Sequence, residues 1–69
     1  MNCMVWKCIE IVGQSSESFA KAVQNAVVET GKTVKDMQWF EVNSFRGAIQ
    51  KGKVSQFQAV VKIFFGAES

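Results

Sequence analysis

Gln38-Trp39-Phe40-Glu41-Val42-Asn43-Ser44-Phe45-Arg46 alternates as a β-strand does, yet both of its faces carry apolar groups. One parity holds Phe40 and Val42. The other holds Trp39, Glu41, Asn43 and Phe45, a mixed face with two large aromatics. A strand that keeps a core face and also places aromatics on its second face covers something there.

The sequence on either side supplies the partners. Met4 to Val12 reads as a first strand, rich in Val, Ile and Trp, with Gly13 expected to end it. Gln14-Ser15-Ser16-Glu17-Ser18 reads as a helix start: Ser15 or Ser16 can cap the free N–H groups, and Glu17 suits the positive end of the dipole. Phe19, Ala22, Val23, Ala26, Val27 and Thr30 then form one apolar stripe at helical spacing, with Lys21, Gln24, Asn25 and Glu29 opposite. Gly31 is the expected C′ residue, and Lys32 to Met37 a short link. A strand from Gln38 to Ile49, a turn at Gln50-Lys51-Gly52-Lys53 and a strand from Val54 to Phe65 complete a hairpin, with Gly52 free to take positive φ. The tail Gly66-Ala67-Glu68-Ser69 is expected to fray. With no proline, linker or repeat, residues 1–69 read as one domain.

The order is β-α-β-β, an α+β protomer. The third strand is expected between the first two, giving an antiparallel three-stranded sheet packed on one helix. If Ile49 pairs with Val54, Phe45 faces Gln58, Glu41 faces Lys62, and Trp39 faces Phe64. Phe40, Val42, Ala48, Phe57, Ala59, Val61, Ile63 and Phe65 then share the helix side. Trp39, Glu41, Asn43, Phe45, Gln56, Gln58, Val60, Lys62 and Phe64 share the other, with Glu41 and Lys62 as a cross-strand ion pair.

Composition narrows the classes. A chain of 69 residues buries only roughly 60% of its unfolded surface, so small scaffolds add disulfides, metals or self-association. Cys3 and Cys8 are too far apart along an extended strand to bridge, and the absence of histidine argues against zinc. Self-association remains, in a chain that is 48% hydrophobic. A net charge of +2 without a basic run argues against nucleic acid, and no apolar run is long enough to span a membrane. Two unpaired thiols and no export signal point to the cytoplasm.

Catalytic sets are missing: there is no His, no Tyr and no phosphate-cradling glycine loop, and Gly47-x-x-x-x-Gly52-Lys53 spans a hairpin rather than a strand-to-helix turn. The chain reads as a binding or assembly protein, not an enzyme. Trp39 is either buried at a subunit contact, which composition favours, or a stacking platform for a planar ligand with Gln58 supplying amide hydrogen bonds. Arg46 shares the helix-side parity, where it reaches solvent or meets an anion such as a phosphate.

Ile9-Glu10-Ile11-Val12-Gly13-Gln14-Ser15, Trp39-Phe40-Glu41-Val42 through Arg46-Gly47, and Phe57-Gln58-Ala59-Val60, in this order and in a chain of this length, resemble the bacterial dodecins. The resemblance implies a β-α-β-β protomer assembled into a hollow homododecamer that stores and sequesters flavin such as FMN. It implies that Trp39 stacks on the isoalloxazine ring and quenches it, that Gln58 hydrogen-bonds the flavin's polar edge, and that Arg46 lies near the flavin. It also places a coenzyme A contact of some members at Lys32-Thr33-Val34-Lys35. Two departures stand out: Phe64-Phe65-Gly66-Ala67 replaces a charged, leucine-containing ending, and Trp6 replaces a smaller aromatic. The rival readings are a purely structural assembly module and a small sheet that binds single-stranded nucleic acid on Trp39, Phe45 and Phe64.

Overall fold

In a computed structural model, which describes residues 5–67, the chain forms β1 (Trp6–Ser15), α1 (Phe19–Thr30), β2 (Met37–Gln50) and β3 (Lys53–Gly66). The sheet order is β1-β3-β2, and both pairings are antiparallel. The expected β-α-β-β topology, with the last strand in the centre, is the one observed. Cys3, Met4, Glu68 and Ser69, which figured in the sequence expectations, lie outside the described residues.

The first strand does not stop at Gly13. It runs on to Ser15, and Gly13 pairs with Ala59 in the middle of the sheet. The reason is packing rather than turn formation. A Cβ at Gly13 would lie 2.8 Å from the Ala26 Cβ and would overlap the Ala22 carbonyl oxygen. Ala22 and Ala26 are both buried. Three small residues therefore let the helix lie almost directly on the strand, as glycine does wherever two backbones approach closely.

Because β1 takes up Gln14 and Ser15, the helix begins later than expected. Its N-cap is Ser18, whose hydroxyl accepts from the Lys21 amide at 3.0 Å. Ser15, expected as a cap, instead accepts the Glu17 amide at 2.9 Å and is buried at the end of β1. At the other end Gly31 is right-handed, at φ −63°, and not the left-handed C′ residue expected. The chain continues as a further turn, with the Val34 amide donating to the Thr30 carbonyl at 2.9 Å. Reversal falls to Asp36, at φ 63°; its carboxylate accepts from the Gln38 side chain at 2.7 Å. Asp tolerates this conformation because its short polar side chain bonds locally.

The hairpin turn comprises Lys51 at φ 54° and Gly52 at φ 76°, between the paired Gln50 and Lys53. Two positive φ values in a two-residue loop define a type I′ turn, whose twist matches that of the strands it joins. The chain end is tied down further than expected. The Gly66 amide donates to Asp36 and the Ala67 amide to Val5, at 3.4 and 3.1 Å.

The core is the buried set Ala22, Ala26, Ala59, Val61 and Ile63, flanked by half-buried Ile9, Ile11, Val23, Val27 and Met37. The helix covers β1 and β3. On its uncovered side β2 turns Phe40 and Phe45 outward, 49% and 54% exposed, along an apolar groove shared with Val23 and Val27. The described protomer measures 52 × 20 × 13 Å.

Gly13→Ala is expected to push α1 off the sheet and destabilise the protein by about 1–3 kcal/mol, the usual cost of overpacking. A urea or guanidinium titration checks it; an unchanged midpoint would contradict the close contact.

Candidate functional site

The face of the sheet opposite the helix is organised as rows that run across all three strands. Gln14, Gln58 and Arg46 form one row, Glu10, Lys62 and Glu41 a second, and Cys8, Phe64 and Trp39 a third. The rows depend on irregularities in the β2–β3 register, between Met37 and Trp39, Val42 and Ser44, and Ala48 and Ile49.

The assumed pair Ile49–Val54 is observed, but an irregularity between Ala48 and Ile49 and the bulge at Asn43 shift the register over the residues between them. Glu41 still opposes Lys62 and Trp39 still opposes Phe64, but beyond the bulge Phe45 opposes Ala59 and Arg46 opposes Gln58. One extra residue exchanges the two faces up to the next irregularity. Phe45, expected beside Gln58, turns to the helix side, where its ring meets Phe19 at 4.8 Å. Arg46, expected on the helix side, joins Gln58. Ala48 likewise leaves the helix side and opposes Gln56. The exchange suits both residues, since an aromatic reaches the helix and a guanidinium leaves it. Asn43 itself donates to the Glu10 carboxylate at 2.6 Å, so the bulged residue bridges β2 to β1 over the central strand.

The first row is a hydrogen-bonded chain. Arg46 Nε donates to Gln58 Oε1 at 2.9 Å, and Gln58 Nε2 donates to Gln14 Oε1 at 2.7 Å. Two of the expected site residues are thus in direct contact, and a third, Gln14, was missed because it was assigned to the helix start. The signal was available: Gln14 has the same parity in β1 as Glu10 and Val12. The chain orients the Gln58 amide, fixing which end donates. It leaves one Gln58 N–H and the terminal guanidinium nitrogens of Arg46 for a ligand, a donor set suited to carbonyl and phosphate oxygens.

In the middle row Glu41 and Lys62 stand opposite each other, but the expected ion pair is absent. Among the described residues the one ion pair is Lys32–Glu29, at 3.1 Å, on the helix exit.

The third row is aromatic. Trp39 is 43% exposed and lies nearly parallel to Phe64, with ring centroids 4.9 Å apart and planes 10° apart. Trp6 meets Trp39 edge-on, also at 4.9 Å. The structure does not bring Trp39 to Gln58 within one protomer. Phe64 and Gln58 are six positions apart on β3, which is roughly 20 Å of strand. A bicyclic or tricyclic ring stacked on Trp39 cannot also reach Gln58 of the same chain.

Comparison with known proteins places these features in a family. The dodecin family model matches residues 5–68. The chain is 38% identical over 64 residues to the dodecin of Thermus thermophilus, covering 93% of each. The dodecin structure from Streptomyces coelicolor superposes with a TM-score of 0.90 at 35% identity, over 94% of this chain and 93% of that one. That from Streptomyces davaonensis gives 0.89 at 28% identity, over 94% and 96%.

Gln58→Leu removes both links of the first row at once. Because the row is open to water, the expected loss of stability is about 1 kcal/mol or less. Thermal or chemical unfolding measures that cost. The side-chain resonances of Gln14 and Arg46 should shift together in the variant, and independent behaviour would contradict the chain.

Proposed function

The chain belongs to the dodecin family, and from that membership we propose that it binds, stores and sequesters a flavin, with Trp39 stacked against the isoalloxazine ring. The observation that carries this reading is the exposed indole of Trp39. It is held on a sheet face whose other end presents Gln58 and Arg46 with unused donors. Stacking gives affinity for any flat ring, and the amide and guanidinium discriminate by reading its oxygens.

The donor set fits FMN. When bound, the flavin supplies a light-absorbing, redox-active ring. The chain's own residues bind and orient it, and Trp39 stands close enough to quench its excited state. Gln58 suits the polar edge of the ring system, and Arg46 suits a phosphate. Trp39 and Gln58 are too far apart in one protomer to hold the same ring, so the complete site takes one of them from a second copy. Self-association is also supported by the apolar groups that one helix leaves uncovered: Phe40, Phe45, Ile49 and Val54. The homododecamer of the family is the assembly proposed.

The reading is storage rather than catalysis, for a chain that lacks histidine and tyrosine altogether. No helix among the described residues is long and apolar enough to cross a membrane. A coenzyme A contact at residues 32–35 belongs to the same proposal. Lys32 is paired with Glu29 there, which makes Lys35 the cation for a phosphate.

The test is the visible spectrum of the protein as isolated, with its native mass and an FMN titration. A flavin band, or uptake of FMN with quenched emission, is expected. Trp39→Ala should weaken FMN binding at least tenfold, as loss of a stacking aromatic does, and leave the native mass unchanged. A large oligomer indifferent to FMN would mean a structural assembly module instead. Salt-sensitive oligonucleotide binding would mean a nucleic-acid sheet.

A further inference from the structure

Trp6, Trp39 and Phe64 form a ring cluster drawn from all three strands, on the face that carries the candidate site. Trp39 and Phe64 are partners across β2 and β3, so their near-parallel stack follows from register. Trp6 is different. Its own partner on β3 is Gly66, which has no side chain. Opposite Trp6 the central strand therefore offers no side chain, and the Trp6 ring meets that of Trp39 on β2, the far edge strand. The segment is also tethered at this end, by the Gly66 amide to Asp36 and the Ala67 amide to Val5.

The consequence for Trp39 is orientation. An exposed aromatic on an edge strand ordinarily samples several rotamers, and freezing one of them costs binding free energy. Here Phe64 backs one face of the indole and Trp6 meets it at 69°, so the side chain is held from two directions before a ligand arrives. Trp39 nevertheless keeps 43% of its surface exposed. We propose that Trp6 is a positioning residue for ligand binding. It meets the Trp39 indole edge-on from β1, while Phe64 stacks on the same indole from β3.

This rests on Trp39 being the stacking residue and deepens that reading. It assigns to Trp6 and Phe64, neither of which needs to touch the ligand, a share in how tightly a flat heteroaromatic ring is held.

The experiment compares wild type with Trp6→Phe, Trp6→Leu and Trp6→Ala, each assayed for FMN affinity, native mass and near-ultraviolet circular dichroism without ligand. Two indoles in edge contact give a coupled dichroic signal that Trp6→Phe and Trp6→Ala must both lose. Trp6→Ala and Trp6→Leu are expected to weaken FMN binding about 3- to 10-fold, the value of one aromatic pair, at unchanged native mass. Trp6→Phe, which keeps an edge-on ring, should restore most of the affinity. Wild-type affinity in Trp6→Ala would overturn the positioning role while leaving Trp39 as the stacking residue. Loss of assembly in all three variants would overturn it in favour of a structural role. Failure of the wild type to take up FMN would remove the flavin reading and this one with it; Trp39→Ala separates the cases, since it weakens binding at least tenfold only if the underlying reading holds.

Discussion

A helix of twelve residues is about 18 Å long, whereas strands of fourteen residues extend about 46 Å. One such helix cannot cover one such hairpin, and most of the molecule's character follows from that mismatch. The core is confined to the stretch where Ala22 and Ala26 meet Gly13, Ala59 and Val61. Small residues dominate there because the helix has to lie close to β1 and β3 to bury anything fully. Large apolar groups at Val12, on the face away from the helix, and at Ile49 and Val54, near the hairpin end, remain exposed. A 69-residue chain of this shape buries little apolar surface by itself.

The second determinant is the insertion of single residues into the ladder. The bulge at Asn43 sends Phe45 to the helix end and Arg46 to the amide row. Without it, Gln58 would face an aromatic, and the Arg46–Gln58–Gln14 chain could not form. Bulges are concentrated where a strand has to re-aim a side chain, and here the re-aimed residue is the guanidinium.

Much of the architecture could be read from the residues. The helix stripe from Phe19 to Thr30, the turn at Lys51-Gly52 and the central place of β3 follow from periodicity, turn chemistry and crossover rules. What could not be read was register, because alternation in Gln38–Arg46 is equally consistent with a straight ladder and a bulged one. Gly13 misled for a related reason. In sequence a glycine after a strand looks like a stop, and only the approach of Ala22 reveals it as a packing site. The candidate residues shared that fate. Trp39 was placed correctly because the irregularity at Ala48/Ile49 and the bulge at Asn43 offset each other, restoring the inferred register by Val42. Arg46 was misplaced because it lies between the two.

The two irregularities in β2 at Gln38 and Asn43 also bear on how copies of this chain can meet. β2 is an edge, and a long unbroken edge is a template on which a further strand can be laid, then another, without limit. Extra residues at these two points break the even spacing of free amides and carbonyls. A strand added there would fall out of step within a few residues. Growth into an open fibre by edge-to-edge addition is thereby discouraged, and contact through side-chain surfaces, which lets an assembly close on itself, is left as the favourable route.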